Sequence, residues 1–83
     1  MYKFKKSIKE KIVTVRMVNA RTNIELASVT FKEDDDVIEL LLVKSIDSGK
    51  YESYMVRFIY GLAKETNKIV KINPKVFQVK EVK

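Results

Sequence analysis

Apolar positions along the chain change period twice. Residues 12–18, IVTVRMV, are rich in β-branched side chains and predict a strand. Residues 37–46, VIELLLVKSI, are almost continuously apolar between an acidic cluster and Asp47-Ser48-Gly49, which suits a central strand covered on both faces. From Tyr51 the spacing becomes helical, with Tyr51, Tyr54, Met55, Phe58, Ile59 and Leu62 on one face. Asp47-Ser48-Gly49 can cap the start of that helix. Lys64 and Lys68 suit its dipole at the other end, and Asn67 suits a left-handed terminator. Two short extended segments follow, residues 68–72 and 76–79, joined by Asn73-Pro74-Lys75. Pro presets a turn and cannot donate to a ladder, so the pair reads as a hairpin.

The helix is apolar over a wider arc than one sheet requires. Val56, Tyr60 and Ala63 extend the stripe onto a neighbouring face, and Gly61 interrupts the helix at a cost of about 1 kcal/mol relative to Ala. Single apolar residues on a surface are ordinary. A second contact through Val56, Tyr60, Gly61 and Ala63 is the sharper reading, most simply with the same helix of another copy. The long apolar run at 37–46 also asks for a lid on its second face, so both excesses point to a homodimer or a higher polymer.

Residues 19–36 admit two structures. Thr22-x-x-Glu25 has the form of a capping box, and Ile24, Ala27 and Phe31 lie at helical spacing. The same stretch, IELASVTF, has three β-branched residues and alternates tolerably, giving a strand at 24–31 and an overall order βββαββ. The cluster Glu33-Asp34-Asp35-Asp36 suits the end of a helix poorly. Its consecutive carboxylates also lack the alternate spacing of a calcium loop, so a solvated turn is the plainer reading.

Charge adds information mainly at the N-terminus. The net charge is +6, and the first eleven residues, MYKFKKSIKEK, contribute five lysines and one glutamate of it. This segment reads as a basic leader, as an edge strand with Tyr2 and Phe4 alternating with Lys3 and Lys5, or as an amphipathic helix. In the helix, Met1, Phe4 and Ile8 form an apolar stripe ringed by lysines, the pattern of an interfacial membrane anchor.

Eighty-three residues make one small domain. The chain has no Cys and no His, and only Gly49 and Gly61, which removes thiolate and imidazole metal sites, the usual nucleophile–base pairs and glycine-rich phosphate loops. A non-enzymatic protein without cofactor or metal is expected. No apolar run is long enough to span a bilayer, which suggests a cytoplasmic protein. A pI near 9.6 with four Tyr and four Phe also permits a small basic nucleic-acid-binding domain, although a nearly neutral residue 12–83 portion weighs against it.

Asp47, Arg57-Phe58-Ile59 with Gly61, Ile69-x-Lys71-Ile72 and Val76-Phe77-x-Val79 together resemble the core domain of the SepF family. These cell-division proteins link the tubulin-like GTPase FtsZ to the membrane. Asn73 stands where the family pattern has Gly. The resemblance spans residues 12–82 and favours a helix over 20–33, since Glu25-Leu26-Ala27 falls where the family's first helix has Glu-Ile-Ala. It implies a two-layer α+β sandwich of order βαβαββ with the helices on one face of the sheet, preceded by a basic tail over residues 1–11. It further implies a homodimeric adaptor at the inner membrane face, with Lys71 and Phe77 in the groove for the FtsZ C-terminal peptide. The family's N-terminal membrane-targeting helix supports the anchor role of Met1, Phe4 and Ile8.

Overall fold

In a computed structural model of the chain, residues 2–46 and 50–72 are described. They form β1 (Tyr2–Lys9), β2 (Ile12–Asn19), β3 (Glu25–Glu33), β4 (Val37–Ser45), α1 (Lys50–Thr66) and β5 (Ile69–Ile72). The five strands make one sheet in the order β1-β2-β3-β4-β5. The first four run as an antiparallel meander. The helix then crosses over, and β5 pairs parallel to β4.

The βαβαββ sandwich is not found. The alternative strand at 24–31 is β3, and the order exceeds βββαββ by β1 at its start. The expected strand at 76–79 and its hairpin turn, like the helix cap at 47–49, lie outside the described residues. The expected helix over 20–33 is β3, and the expected tail over 1–11 is β1, so the described residues contain a single helix. Two local features replace the capping box. The Asn19 side-chain oxygen accepts from the backbone N–H groups of Arg21 and Thr22, and Asn23 takes a left-handed φ of 62°, which turns the chain back on itself. From there Ala27, Val29 and Phe31 enter the core at strand spacing and pair with Met17, Val15 and Val13. Ile24, one of the three residues of the helical pattern, is exposed. Long-range pairing on both sides of β3 outweighs a local helical signal that was weak.

The hydrophobic core lies on one side of the sheet apart from Val18, which is buried on the other face between Lys3 and Glu25. Val13, Val15, Met17, Val29, Phe31, Ile38, Leu40 and Val43 meet Met55, Ile59 and Ala63 of α1, with Tyr51, Leu62 and Val70 at the margin. Register shifts at Met17/Val18 and Thr30/Phe31 insert bulges that strengthen the twist of the central strands. The helix packs against β3, β4 and β5. β1 touches the helix through the Tyr2–Tyr51 ring pair, and every residue of that strand is exposed.

The helix ends as its sequence predicts. Asn67 is left-handed at φ 58°, Lys68 N–H bonds to Ala63 C=O at 2.8 Å, and Asn67 N–H bonds to Lys64 C=O at 3.4 Å. Those two bonds satisfy carbonyls that the helix leaves open, in the pattern of a Schellman cap. The acidic cluster forms the β3–β4 turn, closed by Asp34 N–H on Val37 C=O and flanked by ion pairs of Lys11 with Asp34 and Lys68 with Glu33.

Candidate functional site

Opposed residues of adjacent strands project from the same face of a sheet. The side away from α1 can therefore be read row by row from the register. One row runs Lys5, Arg16, Ser28, Lys44 from β1 to β4. The next runs Ser7, Thr14, Thr30, Leu42. A third runs Lys9, Ile12, Lys32, Glu39, Lys71 across all five strands. Lys3 stands beyond the first row, opposite Val18.

Two cationic rows thus flank a neutral row of hydroxyls. Four residues of β1, β2 and β3 separate the rows, and five of β4, where the bulge lies. The separation is about 13 Å at roughly 3.3 Å per residue over the first three strands, and neighbouring positions within a row are about 5 Å apart. Thr14 and Thr30 hydroxyls share a hydrogen bond of 3.2 Å in the floor between the rows. Arg16 Nη1 donates to Ser7 Oγ at 3.3 Å, and Arg16 Nε meets Glu25 Oε1 at 3.2 Å, so the guanidinium lies along the face. Glu25 and Glu39 are the carboxylates on this side, against Lys3, Lys5, Lys9, Arg16, Lys32, Lys44 and Lys71. The excess of five positive charges is most of the chain's net +6.

Stability does not call for this distribution. Like charges directly opposite one another on a sheet are unfavourable, and Lys5 faces Arg16. The Glu25 pair offsets part of that, but an exposed ion pair contributes little. Ser28 is buried between Arg16 and Lys44, consistent with their aliphatic stems lying over the strand while their charged heads stay in water.

The expected site residues are dispersed. Lys71 is exposed and closes the third row, while Phe77 lies outside the described residues. Among the expected interface residues Tyr60 and Gly61 are exposed and Val56 is partly covered. Ala63 is corrected to the core, because it packs under the helix against the sheet. A Cβ at Gly61 would meet nothing within 4 Å. Met1 is outside the described residues, and Phe4 and Ile8 occupy strand positions opposite Met17 and Val13. That puts them on the helix side of the sheet together with Lys6, away from Lys3, Lys5 and Lys9. The lysine-ringed apolar helix expected here is replaced by a strand with one basic face and one mainly apolar face that carries Lys6.

Lys3, Lys5, Lys9, Arg16, Lys32 and Lys44 were not singled out as a set by sequence. The available signal was the alternation of lysine with apolar residues in β1, which acquires meaning only once β1 is paired with β2.

Among the described residues no cluster of His, Cys, Asp or Glu is suited to a metal ion, and no helix is long and apolar enough to cross a membrane. Among the described residues, the fold and site define one helix, a five-stranded mixed sheet and a cationic sheet face that no described element covers. Compared with family models, curated proteins and solved structures, the chain matches none.

Proposed function

We propose that the protein is a non-enzymatic nucleic-acid-binding domain that engages phosphates with the open face of its sheet. The observation that carries this reading is the pair of cationic rows, Lys5–Arg16–Lys44 and Lys9–Lys32–Lys71, on a face that no described element covers. Each lysine that neutralises a phosphate releases a condensed counterion, so affinity falls steeply with salt. With five or six such contacts, the log–log slope against salt for a duplex is about −4.5 to −5.5. Fluorescence anisotropy of a labelled oligonucleotide over 50–200 mM salt tests it. A flat salt dependence, or no binding at 50 mM salt, would count against the reading.

A second reading is the adaptor linking FtsZ polymers to the membrane, with self-association. Its support is narrower: Lys71 is exposed on β5, as a docking cation for an acidic peptide should be. The helix over 20–33 that carried part of the family resemblance is a strand. Calorimetric titration of an FtsZ C-terminal peptide into the wild type and Lys71→Glu tests this reading, which requires binding that the substitution weakens.

A further inference from the structure

We infer that the nucleic acid recognised is double-stranded, with one phosphate backbone on each cationic row and the hydroxyl row lying over the groove between them. This rests on the nucleic-acid reading above and adds the class of ligand.

Two observations select a duplex. The first is what the face lacks. Proteins that hold single strands combine a cationic track with aromatic side chains on which successive bases stack. Among the described residues every aromatic side chain is elsewhere. Phe31 is in the core, Tyr2 and Phe4 are on the helix side of β1, and the others are on α1. The ring of Tyr2 packs edge-on against Tyr51 at 6.2 Å, which fixes the side to which that strand's aromatics point. A single strand laid on the open face would find phosphate contacts and no stacking platform.

The second observation is spacing. A single track of charge suffices for one backbone, yet the cations form two tracks about 13 Å apart with a neutral floor between them. A B-form minor groove is about 6 Å wide between the surfaces of its flanking phosphate groups, and the phosphorus atoms lie roughly twice as far apart. The two rows match that separation within the reach of a lysine side chain. Ser7, Thr14 and Thr30 would then face the groove floor, where hydroxyls can meet sugar oxygens or base-edge acceptors. Leu42 ends the hydroxyl row but is partly covered, so it makes a poor wedge between base pairs. Binding is therefore expected to be weakly selective for sequence.

The test uses the full chain and a labelled 16-base-pair DNA duplex, with each of its separated strands, by anisotropy at several salt concentrations. The duplex is expected to bind about tenfold more tightly than either strand, because its charge density is higher and neither form gains stacking. Lys5→Gln with Lys44→Gln removes cations from one row, and Lys9→Gln with Lys32→Gln from the other. Each double variant is expected to reduce the magnitude of the salt slope by about 1 to 2. Circular dichroism checks that the substitutions, three at exposed positions and one at the half-buried Lys32, leave the fold intact. Equal or tighter binding of a single strand overturns the duplex inference and leaves the nucleic-acid reading standing. So does a slope that responds to one row alone. Salt-dependent binding to vesicles of anionic phospholipid, with none to either nucleic-acid form, overturns both.

Discussion

Lys5 stands directly opposite Arg16 across the β1–β2 ladder, two cations side by side on the sheet face away from α1. A sheet shaped by stability alone would place an acid at one of those positions, since a cross-strand pair of opposite charge is favourable and a like pair is not. The arrangement becomes favourable when an anion lies over it.

The first prediction follows from that pair. Lys5→Glu converts a repulsive neighbour of Arg16 into an attractive one, so the protein should be unchanged in stability or more stable by up to about 1 kcal/mol. Binding to duplex DNA should weaken in the same variant. Urea unfolding and anisotropy check the two halves. A clear loss of stability would contradict the register on which the cationic rows depend.

A second prediction concerns the helix terminus. Asn67 holds a left-handed conformation at φ 58°, where a β-branched side chain is strained by about 1–2 kcal/mol and Gly is not. Asn67→Gly should preserve or slightly raise the melting temperature, and Asn67→Val should lower it.

Gly61 offers a third test, because the space around it is open. Ala at a helix-interior position is preferred to Gly by about 1 kcal/mol, so Gly61→Ala should stabilise the chain by close to that amount. Comparing the sedimentation of the two forms then asks whether copies of the protein meet through this part of α1. Weaker self-association in the Ala variant would place a close contact there.

The fourth prediction is that the N-terminal residues are part of the domain. All eight positions from Tyr2↔Asn19 to Lys9↔Ile12 are paired, and the Tyr2 ring meets Tyr51. Tyr2→Ala should cost about 1 kcal/mol, the loss of an edge-to-face aromatic pair and some burial. Removing residues 1–9 should cost more and expose β2 as a bare sheet edge that favours aggregation. Unaltered thermal melting of the truncated chain would show that β1 is dispensable.

The sequence was most legible where periodicity was strong and flanking signals agreed. The β-branched run at 12–18, the apolar run at 37–46 and the helical stripe from Tyr51 to Leu62 correspond to β2, β4 and α1, and Asn67 ends the helix. Legibility failed at β1 and β3 for one physical reason. Both are fixed by partners distant in sequence rather than by local pattern. In Glu25–Glu33 a capping-box motif competes with alternation, and pairing with both β2 and β4 decides the contest. In Tyr2–Lys9 the lysines fit a helix, a leader or a strand equally well, and only the ladder with β2 orients them. The cationic face was missed for the same reason. Its charges come from five strands, and the lysines concentrated in residues 1–11 show their common face only once β1 is paired.

The central claim is that the open face, and not the helix side, receives nucleic acid. Titrating unlabelled duplex DNA into isotope-labelled protein, followed by backbone amide resonances, tests it most directly. The predicted result is progressive shifts at Lys5, Thr14, Arg16, Thr30, Lys32 and Lys44, with Tyr54, Phe58 and Tyr60 of α1 unmoved. Shifts concentrated on α1, or none at saturating duplex in 50 mM salt, would contradict the account.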